Sequence, residues 1–150
     1  MTKLTLAALT FMTLLSPAHA ADDIITVPST QSAKASLDKL EFIAAERGLK
    51  VYARIDHAAG AQSVGQELRP TEVLILGHPK AGTVLMQCAQ MAGLDLPMRV
   101  LAWEDDAGKT WLSYRDPAKL GHEYSGLTCS FALKRINATF EELLKEAAQK

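Results

Sequence analysis

Pro70 and Gly77 bracket a continuous apolar run, Val73-Leu74-Ile75-Leu76, which is too short to make a helix and has no polar side to turn to water. A run of that kind predicts a central strand covered on both faces. Its neighbours supply a cover. Ala33, Leu37, Leu40 and Ala44 repeat at helical spacing within Ser32 to Arg47, Phe42 and Ile43 widen the stripe, and Gly48 stands where a C-terminal cap belongs. Lys50 to Asp56 alternates, with Val51, Ala53 and Ile55 on one side and Lys50, Tyr52, Arg54 and Asp56 on the other, which predicts a half-buried strand. A short extended piece, Ile24 to Val27, precedes the first helix.

Beyond Gly77 the pattern turns helical from about Ala81 to Ala92, with Val84, Leu85, Cys88 and Ala92 inward. Met98 to Asp105 and Lys109 to Tyr114 predict two strands joined at Asp106-Ala107-Gly108, the strongest hairpin signal in the chain. Asp116-Pro117 can cap and start a short helix. Leu133, Ile136, Phe140, Leu143 and Ala147 mark a last helix, which Asn137 or Thr139 can interrupt by capping a fresh one. The order predicts a single two-layer α+β domain, helices packed on a mixed β-sheet with a hairpin in its C-terminal half.

Residues 1–20 stand outside that domain. Lys3 starts a mostly apolar stretch, Leu4 to Leu15, and Ala18-His19-Ala20 is a small-x-small cleavage pattern, so a signal peptide is expected with the domain over residues 21–150. The stretch is short of the roughly 20 residues that span a bilayer, so no membrane segment is expected after cleavage. Export to the periplasm or medium changes how Cys88 and Cys129 are read. In an oxidising compartment they can pair in a disulfide, whereas two buried thiols are the alternative. A net charge of −1 and 6% aromatic residues offer neither a basic surface nor stacking platforms for nucleic acid.

Chemistry is thinly signposted. Gly77-His78-Pro79-Lys80-Ala81-Gly82-Thr83 resembles a phosphate loop but lacks the lysine between the second glycine and the threonine, so nucleotide hydrolysis is excluded. What remains is a helix start where N–H groups near Gly82 and Thr83 can hold an anion, with a plain turn capped by Thr83 as the alternative. Asp56-His57 ends a strand, and a carboxylate beside an imidazole is a general acid/base pair or a loop-ordering hydrogen bond. His78 would join it if the two strands run parallel. Two histidines and a carboxylate match no metal-ligand spacing, His122 lies in a turn of unplaced position, and Glu104, Asp105 and Asp106 read as a solvated hairpin tip; no metal and no cofactor is expected. Trp103, Trp111 and Tyr114 read as core or dimer contacts.

Several stretches in order, Ala53 to Ala61, Glu67 to Glu72, Gly77 to Thr83, Asp95 to Met98, Trp103 to Asp105 and Trp111 to Pro117, resemble the DUF302 family. The resemblance covers about Lys50 to Leu120 and implies a small α+β fold, often a homodimer, with no established reaction. His78 stands where the family usually has asparagine, and Gly121 to Ser130 departs from the family's basic helix. The expected function is binding of a small, anionic ligand or a protein partner, at a site gathering Asp56, His57, His78, Gly82 and Thr83 on one rim of the sheet. An enzyme is the less favoured reading: a hydrolase or other acid/base catalyst would use Asp56 and His57. A structural homodimeric module would scatter these residues.

Overall fold

A computed structural model describes residues 23–124 and 129–150; the expected leader lies outside them, as does the side chain of His122. Five strands, β1 (Ile24–Ser29), β2 (Lys50–Asp56), β3 (Thr71–Gly77), β4 (Met98–Glu104) and β5 (Thr110–Arg115), form one sheet in the order β1-β5-β4-β3-β2. Every pair is antiparallel, where a mixed sheet was expected. Helices α1 (Ala33–Glu46) and α5 (Ser130–Ala147) lie on one face, and α2 (His57–Ser63), α3 (Pro79–Cys88) and α4 (Pro117–Glu123) complete the described elements with a 3₁₀ turn at Gln90–Leu94. The architecture is the expected two-layer α+β domain.

Register decides which side chains meet. One cross-strand row runs Arg54, Leu74, Val100, Tyr114, Ile25, and the next runs Ile55, Val73, Leu101, Ser113, Thr26. The first row faces the helices: Leu74, Val100 and Tyr114 join Leu37, Leu40 and Ala44 of α1 and Phe140, Leu143 and Leu144 of α5 in the main hydrophobic cluster. Each fully buried leucine there contributes about 1.5–3 kcal/mol relative to exposure. The second row contributes nothing to either hydrophobic cluster; its edge residue Ile55 is 44% exposed, while Val73 and Ser113 within it are buried. β3 is therefore covered by helices on one face, not two. Its run stays apolar because the outer face carries an apolar surface of its own, including Trp103 stacked on Trp111 at 6.4 Å between ring centroids.

The alternation in β2 also resolves differently. A register shift between Val51 and Ala53 breaks the strand's period, so Val51 packs on the core while Ala53 and Ile55 share the outer face. Arg54 consequently reaches α1, where its guanidinium donates to Asp38 at 2.6 Å, and it also donates to Glu72 of β3 at 2.8 Å.

Several local expectations hold. Ser32 caps α1 by accepting from the Ala35 N–H, and Asp116 caps α4 by accepting from Ala118, with Pro117 at the first position. The β4–β5 turn is closed by Asp105, whose Oδ1 accepts from the Ala107 and Lys109 N–H groups, and Gly108 takes the positive φ of 72° that the bend requires. Helix α5 runs unbroken through Asn137 and Thr139. Asn137 instead accepts from the Tyr114 hydroxyl, and Thr139 donates back to the Arg135 carbonyl, so neither is free to cap.

Candidate functional site

The five residues expected to converge do not. Asp56 pairs with Glu72 at one end of β2–β3, and Gly77, the residue before His78, pairs with Lys50 at the other. Antiparallel pairing separates the two ends by about 17 Å, since Glu72 and Gly77 are five residues apart along a strand. Parallel strands would have brought them together. Asp56 and His57 therefore form no common site with His78, Gly82 and Thr83.

Each end has a local explanation. Asp56 is the cap of α2, accepting from the Ala59 N–H at 2.8 Å, and His57 is the exposed first residue of that helix. The Asp56 carboxylate orients a helix start and not an imidazole, which removes the geometric basis of an acid/base pair. At the other end α3 begins at Pro79 rather than Ala81, because proline's fixed φ and missing N–H suit the first helical position. His78 is the cap, its Nδ1 accepting from the Lys80 N–H at 3.2 Å. Gly82 is already inside the helix and its N–H donates to the His78 carbonyl at 3.0 Å, so it is not an open anion donor. Thr83 lies a position further on, exposed, and caps nothing.

A different concavity uses part of that segment. Between α3 and α5, above the edge where β2, β3 and β4 end, lies a cleft of about 740 Å³. Leu49, Leu96, Met98, Ile136 and Phe140 give it apolar walls, with Val84, Met86 and the largely exposed Phe131 around it. The cleft follows from how the core divides. Leu85, Leu120 and Leu133 form a second, smaller cluster, and Leu96 and Ile136 touch both it and the main one. The seam between the clusters opens at the surface.

Gly82 lines this cleft. A Cβ added there would meet only Leu96 Cδ1, at 4.0 Å, so the glycine contributes open space rather than an N–H group. His78 and Lys80 line it from α3, Arg135 from α5, and Arg47 and Glu142 also face it. Arg47 is engaged with Glu146 at 2.5 Å and Glu142 at 3.9 Å. Lys80 and Arg135 make no ion pair among the described residues. Sequence reasoning singled out His78 and Gly82 but missed Arg135, whose place is set by the α5 packing.

Cys88 and Cys129 are joined by a disulfide with Cα atoms 6.4 Å apart. The bridge ties the end of α3 to the start of α5, the two helices that flank the cleft. At the β4–β5 hairpin the polar groups are structural. Asp105 also accepts from the Trp111 indole, and that hydrogen bond, with those from the Lys109 and Ala107 N–H groups, holds its carboxyl below the ordinary range. Asp106 pairs with Arg69. Among the described residues no three His, Cys, Asp or Glu side chains gather to hold a metal ion.

A second concavity of about 500 Å³, about as open to solvent as the first, is lined by Ile24, Val73, Leu101 and Trp103 of the outer sheet face, with Arg99 and Arg115 also lining it.

An antiparallel five-stranded sheet under two principal helices, with an apolar cleft at one end, defines a small α+β domain. The chain belongs to the DUF302 family: the family model, described as a domain of unknown function, matches residues 25–149. It is similar in fold to a crystal structure of an uncharacterized conserved DUF302 protein from Bacillus stearothermophilus, with a TM-score of 0.66, 21% identity, and coverage of 85% of this chain and 97% of that one. It is also 43% identical over 126 residues to the fluoride-specific ion channel FluC 1 of Brucella suis biovar 1 (strain 1330), covering 83% of this chain and 50% of the relative. The FluC 1 of Brucella abortus biovar 1 (strain 9-941) matches at the same identity over 47% of its length. The chain thus spans about half the length of the curated relatives it matches. No helix among the described residues is long and apolar enough to cross a membrane.

Proposed function

We propose that this DUF302 domain is an exported, non-catalytic binding module that takes a small, largely apolar molecule into the cleft between α3 and α5. The observation that carries the reading is the cleft itself. Its volume of about 740 Å³ falls within the roughly 300–1,000 Å³ of small-molecule sites, and its apolar walls carry a few polar groups. Binding needs no acid/base pair, and the Asp56 carboxylate is committed to its helix. Export is supported by the leader pattern at residues 1–20 and by the Cys88–Cys129 bridge, a bond that a reducing cytosol disfavours. The fluoride channels' names describe proteins about twice as long, and nothing in the cleft calls for fluoride.

Native mass spectrometry of the protein recovered from the periplasm or medium tests the reading. A co-purifying small molecule is expected, on a chain beginning at Ala21. Gly82→Leu, which places a bulky side chain in the cleft at a helical position that favours leucine, should arrive empty. An adduct unchanged in Gly82→Leu, or a mature chain retaining Met1 to Ala20, would overturn the corresponding half of the proposal.

The outer sheet face supports a second proposal, that two copies pair through it. Apolar sheet faces need a covering layer, and closed two-fold pairs are the commonest way for one chain to supply it. Five strands about 4.8 Å apart and six or seven residues long give a face of about 500 Å² in projection, a little over half of the roughly 800 Å² per partner of a standard interface. Light scattering should show a dimer at micromolar concentration, and Leu101→Lys, on the outer face, should dissociate it. A wild-type monomer at that concentration would overturn the pairing.

A further inference from the structure

The cleft is not electrically neutral, and its charge narrows what it can hold. Glu142, the carboxylate that lines it, lies 3.9 Å from Arg47, whose closer partner is Glu146 at 2.5 Å. That leaves Lys80 on α3 and Arg135 on α5, two cations from opposite walls with no ion pair among the described residues, beside an apolar interior. His78 adds a ring on the same side as Lys80; its Nδ1 accepts from the Lys80 N–H, which leaves the neutral ring's proton on Nε2 as a donor.

We infer that the ligand is a single-chain amphiphile: a hydrocarbon chain lying along Leu49, Leu96, Ile136 and Phe140, with a carboxylate or phosphate head held between Lys80 and Arg135. The inference rests on the cleft being the binding site and adds the chemical class of its occupant. Each part of such a molecule meets its complement. The chain covers the seam where the two hydrophobic clusters fail to merge. The head meets two cations that make no ion pair of their own among the described residues. A compact polar anion would leave Leu96 and Ile136 wet.

The magnitudes separate the contributions of chain and head. A methylene removed from water is worth about 0.8 kcal/mol, so affinity should rise up to about fourfold per added carbon while the chain still fits. Exposed ion pairs are individually weak, so two of them favour a charged head over a neutral one of equal length by about fivefold at low salt. Salt should erode that preference and leave the chain-length dependence intact.

Titration calorimetry with decanoate, dodecanoate, dodecyl phosphate and 1-dodecanol, each as monomer, tests the inference on the disulfide-bonded protein. Both dodecyl anions are expected to bind more tightly than the alcohol, and a stronger response to one of them distinguishes a fatty acid from a phosphate-headed lipid source. Lys80→Gln/Arg135→Gln should abolish the preference for anions, bringing both dodecyl anions to the affinity of 1-dodecanol; both residues are exposed, so the fold does not depend on them. Equal binding of alcohol and anions by the wild-type protein would overturn the amphiphile's anionic head and leave the cleft reading standing. No binding of any of the four, with Gly82→Leu indistinguishable from wild type, would overturn both.

Discussion

Arg54 offers the sharpest test of how the edge of this sheet is held. Its guanidinium donates from Nε to Glu72 at 2.8 Å and from Nη1 to Asp38 at 2.6 Å, with Nη2 also 2.8 Å from the same Glu72 oxygen and Glu41 at 3.6 Å. The side chain is 23% exposed and that of Glu72 only 12%, so the pair with Glu72 is largely shielded from water. Burial pulls the guanidinium pKa down, but the Asp38 and Glu72 carboxylates outweigh it and hold it above its ordinary value. Arg54→Met keeps most of the stem and removes every charged hydrogen bond. Asp38 retains Lys34 and is half exposed, so its loss is small, whereas Glu72 is left desolvated without its partner. The expected cost is about 2–3 kcal/mol, seen in urea unfolding as a midpoint lowered by about 1–2 M. Adding Glu72→Gln should recover about 1 kcal/mol, because the stranded charge goes with it. Arg54→Lys should fall between, since a single ammonium cannot reproduce the fork. A cost below about 0.5 kcal/mol, or strictly additive losses in the double variant, would refute the claim that this pair secures β2 against β3 and α1.

Two further outcomes follow from side chains already placed. Replacing both Cys88 and Cys129 by serine should destabilise the protein by about 4 kcal/mol, the chain-entropy value for a separation of 41 residues, measured by denaturant unfolding without reductant; a loss below about 1 kcal/mol, or two free thiols in the wild-type protein, would refute it. Burial, with the nearby Glu141 and Asp116 charges, pushes the Tyr114 hydroxyl up to about 12, so the folded state holds that proton after the unfolded state releases it near 10. Stability from this group is complete below pH 10 and should fall by roughly 1.4 kcal/mol per unit up to about 12, and Tyr114→Phe should remove that slope while costing about 1 kcal/mol at neutral pH for the Asn137 hydrogen bond.

Local chemistry was legible in the chain. Ser32, Asp116-Pro117 and Asp105 to Gly108 act where their types predict, because a cap or a turn is satisfied within a few residues of itself. The apolar repeat of α1 and the layer architecture follow from periodicity in the same way. The two cysteines were the only possible pair, but whether they join or stay as buried thiols was left open by the sequence and is decided by the 6.4 Å between their Cα atoms.

What only the tertiary structure decided was relative direction and register. The pattern of β2 and β3 is the same whether they run parallel or antiparallel, and direction alone separates Asp56 from His78 by the length of a strand. The shift between Val51 and Ala53 leaves no mark in the alternation, yet it sends Arg54 to α1 and Ile55 to the outer face. The cleft is the extreme case. It exists because α3 and α5, 41 residues apart at their bridged cysteines, meet at the seam of two hydrophobic clusters, and it places Arg135 opposite Lys80. Sequence spacing records what a residue can do with its near neighbours; which distant residues share a space depends on packing summed over the whole domain.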